Sequence, residues 1–219
     1  MLIIPVLKRV IITGGTGGLG KAITKQFAGA GWEVVALGRN DLDLSDSSAI
    51  DRFFSTNDFD LLICAAGMIK DQTLVTMDEI SWDDVFEIHY TAARNCALAA
   101  IPMMIRKGQG HVVFISSYAA NHPAVGQAAY ATAKAAILGL TKDLALTYGS
   151  NNIRVNAILP GFMETPMTEQ VSNNRKQVVR ELHALGEFNT PDIAAEFILF
   201  LEQHMPHTSG QFFQLDSRP

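Results

Sequence analysis

The stretch AYATAK, residues 129–134, sets a phenol and an ammonium four positions apart, at Tyr130 and Lys134. Residues at that spacing share one face of a helix. A free phenol titrates near ~10, and a neighbouring ammonium favours its phenolate form, so such a pair can exchange a proton with a reacting oxygen near neutral pH. The same spacing also occurs on plain solvated helix surfaces. What surrounds the pair has to decide between the two.

A second group with chemical character is TGGTGGLG, Thr13 to Gly20, directly after the β-rich run RVIIT and directly before the helical run KAITKQFAGAG. Glycines there let the backbone turn tightly and let a pyrophosphate approach a helix N-terminus, whose unpaired N–H groups and dipole favour negative charge. The competing reading is a tight turn that only packs strand against helix.

Strand and helix signals alternate along the whole chain, which predicts an α/β fold: a doubly wound, Rossmann-like parallel sheet with helices on both faces. Strands are expected at RVIIT, EVVALG, a short run around Leu42 to Leu44, DLLICAAG, GHVVFISS, IRVNAILPG and GQFFQLD. Ser45 is the expected N-cap of the helix SSAIDRFFS. Long helices are expected from about Trp82 to Arg106 and from Gln127 to Tyr148, and another in PDIAAEFILFLEQ, whose Pro and acid suit a helix start. Residues 162–189 lack strand character and read as a mobile helical flap. With no internal repeat or linker, residues 1–219 read as a single dinucleotide-binding domain.

The spacing Gly14, Gly18, Gly20, with Ser117 thirteen residues before Tyr130 and Lys134 four after it, resembles the short-chain dehydrogenase/reductase family from residue 9 to residue 216. The resemblance implies that Ser117, Tyr130 and Lys134 are catalytic. Ser117 would hydrogen-bond a substrate carbonyl oxygen, Tyr130 would exchange the proton, and Lys134 would also hold the nicotinamide ribose. It implies further that Gly14, Thr16, Gly18, Leu19 and Gly20 line the adenosine-pyrophosphate half of NAD(P), with Asp43 and Leu44 at the adenine and Ala65, Ala66 and Gly67 along the adenosine side. Pro160 and Gly161 match the family's PG motif. Met163 would offer its backbone to the carboxamide, and Thr165 its hydroxyl to the carboxamide or pyrophosphate. Asn156 is expected to fix local backbone. At the end of the second strand an acidic residue would repel a 2′-phosphate, but Arg39 stands there, and a guanidinium pairs bidentately with phosphate. NADP is therefore the expected cofactor, with NAD as the alternative if Arg39 is only a loop residue.

Three positions depart from the family. Cys64 replaces the first asparagine of its NNAG motif. His89 stands where an asparagine is usual, and is either a proton-relay residue or a packed helix histidine. The end LDSRP replaces aspartate and two glycines, from which looser packing is expected.

Overall similarity is greatest to 3-oxoacyl-carrier-protein reductases. A carbonyl substrate is implied, either a carrier-bound acyl thioester or a sugar, steroid or aromatic compound; a weakly active regulatory protein is the alternative of another class. Ala119, Asn121, His122, Phe162 and the flap to about Phe188 are candidates for lining it, although the apolar flap residues suit a flap core equally well. Arg106, Lys107, Arg175, Lys176 and Arg180 are available to a carrier protein or are simply solvated. The helices from Trp82 and from Tyr130 resemble those that pair between subunits, so a homodimer or homotetramer is expected.

Composition bounds the rest. The 219 residues are 48% hydrophobic and 18% charged, which describes a globular chain able to bury a sizeable core. A formal net charge of −5 provides no footprint for nucleic acid or an anionic membrane. Cys64 and Cys96 have no metal-ligand spacing and read as small buried residues in a reducing compartment, so no metal is expected. The opening MLIIPVLKRVIITGG carries Pro5, Lys8 and Arg9 and reads as a first strand rather than a targeting signal. A cytoplasmic location is the expectation.

Overall fold

A computed structural model describes residues 7–219; the expected first strand upstream of Leu7 lies outside the described residues. Six parallel strands form one sheet: β1 Arg9–Thr13, β2 Glu33–Leu37, β3 Leu61–Cys64, β4 Gly110–Ile115, β5 Ile153–Leu159 and β6 Phe212–Gln214. Their order is β2-β1-β3-β4-β5-β6. Each central strand is apolar on both sides, because both faces of the sheet are covered.

Alternation sorts the side chains into two cores. Val10, Ile12, Leu61, Ile63, Val113 and Ile158 meet α1 (Gly18–Gly29) and α7 (Pro191–His204) on one face. Ile11, Leu62, Val112, Phe114 and Val155 meet α2 (Ser47–Thr56), α4 (Ala92–Lys107) and α5 (Ala128–Tyr148) on the other. Strands β2 and β3 lie on opposite sides of β1, so a crevice opens beyond the carboxyl ends of β1 and β3, where ligands bind in open sheets of this kind. Among the described residues no helix is long and apolar enough to cross a membrane.

Three expectations need correction. Residues 42–44 are not a strand but part of a string of turns, in which Asp41 accepts the Gly38 N–H at 2.7 Å and Asp43 the Ser45 N–H at 2.9 Å. Such local side-chain bonds compete with a ladder. The N-cap of α2 is Asp46, which accepts from the backbone of Ser48 and Ala49 at 2.9 and 3.1 Å, while the Ser45 hydroxyl donates to Asp43. The helix expected from Trp82 to Arg106 is divided: α3 (Glu79–Phe86) and α4 are joined by a wide turn over Glu87–Thr91, with the Ala92 N–H bonded to the Glu87 carbonyl. His89 sits inside that turn. Within the 162–189 stretch lie a 3-10 turn, Pro166–Thr168, and one α-helix, α6 (Asn173–Glu181).

Candidate active site

A cleft of about 1300 Å³ runs along the carboxyl ends of the strands. It begins at the glycine turn. Gly14 has a left-handed φ of +68° and passes so close to the next strand's loop that a Cβ there would lie 2.6 Å from the Ala66 nitrogen. A Cβ on Gly20 would lie 2.1 Å from the Gly14 carbonyl oxygen, and one on Gly18 would lie 2.7 Å from Thr165. Backbone therefore faces backbone at Gly14 and Gly20, while Gly18 faces the Thr165 side chain, and α1 starts at Gly18 with no side chain capping its N–H groups. Unpaired N–H donors at a helix start form an anion seat.

Along the wall, Thr16 packs against Gly38, and Arg39, exposed and without an ion pair among the described residues, lines the cleft beside Asp43 and Leu44. Ala65, Ala66 and Gly67 follow from β3. Cys64 is buried behind them, its thiol 3.8 Å from the Ala93 carbonyl, and both cysteines are unpaired. On the far wall Gly161 turns with φ of +84°, Pro160 is held through its carbonyl by Asn189, and Met163 and Thr165 begin the flap. Thr165 and Thr168 cap each other reciprocally, which keeps Thr165 leaning over Gly18.

The reacting groups converge at the centre. Strand β4 ends at Ile115, whose carbonyl accepts from Lys134 Nζ at 2.7 Å, and the next residue, Ser116, donates its hydroxyl to the Lys134 carbonyl at 2.9 Å. These two bonds stitch α5 to the strand end and place Ser117 opposite Tyr130. Lys134 is buried, and burial pushes its ammonium from 10.5 down to about 8. Its Nζ lies 5.8 Å from the centre of the Tyr130 ring. Burial also pushes the Tyr130 phenol above its ordinary value, partly opposed by a hydrogen bond with Ser117. Burial, with the charge of Asp71, outweighs that bond, and Lys134 is turned to the Ile115 carbonyl rather than to the phenol.

His89 stands edge-on to Tyr130, ring centres 5.0 Å apart and planes at 89°. It is 3% exposed, with Nε2 2.7 Å from the Met68 carbonyl oxygen and 3.2 Å from the Met68 nitrogen. Its Nδ1 is buried without a partner, toward Gly67. Burial, with the charge of Lys134 nearby, takes its pKa from 6.5 to about 3, so the ring is neutral at physiological pH.

All the residues expected to be catalytic or to hold cofactor line this one cleft. Asn156 does not; it accepts from Gln211 N–H and donates to Thr208, fixing the β5–β6 junction. Ala119, His122 and Phe162 line the substrate end but Asn121 does not, and Phe188 packs on Phe162 with ring centres 4.6 Å apart, as flap core. Of the five cations considered for a carrier protein, only Arg175 lines the cleft. Arg106 and Lys107 end α4 at the opposite edge of the sheet, where Lys107 pairs with Asp58 and Asp60. Lys176 lies 3.8 Å from Glu164, and Arg180 lies over Phe188. Sequence reading missed Met68, Tyr118 and Arg218. Only the unusual ending LDSRP offered a signal for the last. That ending is not loose either: Asp216 is fully buried and Ser217 bonds the backbone of Ala184 and Leu185.

Comparison with known proteins agrees with this geometry. A family model described as enoyl-(acyl carrier protein) reductase matches residues 41–217. The 3-oxoacyl-[acyl-carrier-protein] reductase FabG of Thermotoga maritima is 32% identical over 95% of this chain and 96% of its own. The chain belongs to the short-chain dehydrogenase/reductase family. The corresponding protein of Chlamydia muridarum is 34% identical over 95% and 96% of the two chains. Among solved structures, a candidate NAD(P)-dependent gluconate 5-dehydrogenase from Beutenbergia cavernae with bound NADP superimposes with a TM-score of 0.92 at 25% identity, covering 96% of this chain and 95% of that one. A short-chain dehydrogenase/reductase from Burkholderia thailandensis gives 0.88 at 27% identity, covering 97% and 92%. As a member of this family the protein is an NAD(P)-dependent oxidoreductase. The side-chain-free cradle at Gly14, Gly18 and Gly20 and the uncapped start of α1 fit a dinucleotide.

Proposed function

We propose that the protein is an NADP-dependent carbonyl reductase in which Ser117, Tyr130 and Lys134 carry the reaction. The observation that supports it best is the buried, strand-anchored Lys134 one helical turn from a phenol that lines the same cleft as Ser117. A nicotinamide held in this cleft would supply the hydride that the carbonyl carbon accepts. Ser117 donates a hydrogen bond to the carbonyl oxygen, and with Tyr130 it stabilises the charge that collects there. Tyr130 then gives that oxygen its proton, completing the alcohol. Its raised pKa keeps it protonated until then. Lys134 is the cation that stabilises the phenolate left behind and meets the ribose hydroxyls. His89, neutral and fixed on Met68, is a positioning residue for the Tyr130 ring. Arg39 pairs with the 2′-phosphate of NADP.

The substrate class we favour is a 3-oxoacyl thioester, on the strength of the FabG relatives. The structural neighbour's name favours a second reading, the same chemistry on a sugar-type compound. In this reading residues 1–219 are one cofactor-binding domain, the 162–189 segment closes over the substrate, and α4 and α5 pair between subunits of a homodimer or homotetramer. Two unpaired cysteines suit the reducing cytoplasm.

The test is NADPH consumption with a carbonyl panel of a 3-oxoacyl thioester, sugar-type, steroid and aromatic ketones. Tyr130→Phe should lose turnover by at least about 100-fold while still binding NADPH. A variant that keeps most activity overturns the assignment. NADPH binding without turnover of any panel member would favour a regulatory protein.

A further inference from the structure

Arg218 lines the cleft. Its guanidinium is held on two sides. Nε and one terminal nitrogen both meet Asp216 Oδ2, at 2.6 and 2.5 Å, and the guanidinium carbon lies 3.7 Å from the centre of the Tyr118 ring. Tyr118 also stacks on His122, with ring centres 4.3 Å apart and planes 14° apart. Two flat groups that close to one ring cannot share a face, so the phenol lies between imidazole and guanidinium. Its hydroxyl donates to the Pro219 carbonyl.

Asp216 is itself immobile: its side chain is fully buried, its second oxygen accepts from Gln214, and a Cβ on Gly161 would lie 2.5 Å from its Cβ. The other terminal nitrogen of Arg218, with two N–H donors, has no protein partner among the described residues. A side chain 10% exposed, with one face against Tyr118 and one edge against Asp216, has only its remaining edge to present. That edge is a fixed two-pronged donor, the shape that binds a carboxylate or phosphate. Holding it rigid removes most of the ordering cost of binding. Ser117, whose hydroxyl is proposed to hold the carbonyl, lines the same cleft as Tyr118 and Arg218.

We propose that Arg218 is a specificity-determining residue, and that the carbonyl substrate carries a carboxylate or phosphate several bonds from its reacting carbon. This rests on the reductase reading and adds a charge requirement to it. Arg175, lining the cleft from α6, is a second cation available to the same group.

The experiment compares straight-chain keto acids with their methyl esters, and with keto compounds phosphorylated at the far end, using the full chain and NADPH. The readout is the ratio of kcat/KM for the charged compound to that for its ester. Wild type should favour the charged compound, and Arg218→Gln should lower the ratio about 10- to 100-fold, the worth of a charge-assisted fork. Arg218→Lys, which leaves Asp216 a partner but loses the fork, should fall between. Whether the acid or the phosphate gives the larger ratio identifies the anion. A purely structural role for Arg218 would scale both compounds together; an unchanged ratio, or a wild-type preference for the ester, overturns the proposal. Should nothing be reduced, quenching of bound NADPH fluorescence by the same compounds separates the two readings. Charged-compound binding that Arg218→Gln weakens would keep Arg218 and remove the reductase, while no binding removes both.

Discussion

Replacing His89 by asparagine should make the protein more resistant to acid, and the size of the effect follows from where the ring sits. In the unfolded chain the imidazole titrates at its ordinary 6.5; in the fold, burial and Lys134 hold it at about 3. A folded pKa below the unfolded one means that the unfolded chain binds the extra proton, so stability is lost as pH falls below 6.5. Near pH 7 the two states differ little. At pH 5 the shortfall spans ~1.5 pH units, or ~2 kcal/mol at ~1.4 kcal/mol per unit. For a chain of this size that is ~4–8 °C in melting temperature. Asparagine carries no such penalty. Against that stands loss of an edge contact with Tyr130 worth ~0.5–1.5 kcal/mol.

The assay is thermal melting of both proteins at pH 7 and pH 5. The difference, His89→Asn minus wild type, should grow by ~4–8 °C on going to pH 5. A difference that stays constant or shrinks means that the imidazole is hydrated or charged in the fold, and the argument from burial fails. Turnover checks the same point independently. Both proteins should show pH–rate profiles of one shape between pH 5 and 8. An inflection near neutrality in wild type that the variant lacks would make His89 a titrating relay rather than a neutral support for Tyr130.

Two further substitutions probe the cofactor end. Arg39→Ala should lower the NADPH-to-NADH ratio of kcat/KM by about 10- to 100-fold, and a wild type that uses NADH equally well would remove Arg39 from this role. Gly18→Ala and Gly20→Ala should differ in kind. A Cβ at Gly18 presses on the Thr165 side chain, so dinucleotide affinity should fall at least about tenfold with a small change in melting temperature. A Cβ at Gly20 meets the fixed Gly14 carbonyl, so that variant should lose at least about 3 kcal/mol of stability. Equal melting of the two would refute the contact argument.

The parts of this site that were legible in the sequence are those whose signal is local. The strand–glycine–helix unit and the Tyr130–Lys134 pair each declare themselves within one helical turn or one tight turn. Features set by contact between distant segments were not legible. A helical pattern from Trp82 to Arg106 does not reveal that its hydrogen bonds widen at Glu87–Thr91, because side-chain periodicity barely changes over one such turn. Met68 contributes only backbone to His89, and backbone leaves no trace in residue type. Ser45 was the expected cap, but the Asp46 carboxylate one position on reaches two N–H groups and takes that role. Arg218 meets Tyr118 across nearly half the chain, so its place could be known only from the fold, although its departure from the family pattern marked the position.

The two edges of the sheet divide the work. Beyond the strand starts, Glu202 accepts from His111 Nδ1 at 2.9 Å and from Arg154 at 2.5 Å, with Lys8 at 3.2 Å, while Asn156 donates to the other nitrogen of His111. Asn156 can only donate there, so that nitrogen is unprotonated and His111 is neutral, with its single proton pointing at Glu202. Glu202 is buried and matched on both oxygens, and removing Arg154 would take away the cation nearest its charge, a change that costs several kcal/mol. At the strand ends the reverse holds: the first N–H groups of α1 are uncapped, and His89 Nδ1 is without a partner. A fold held at one edge can leave polar groups unpaired at the other, and those unpaired groups are where a dinucleotide and a substrate would find their partners. That separation is why substitutions at Gly18 and Arg39 should alter binding far more than folding.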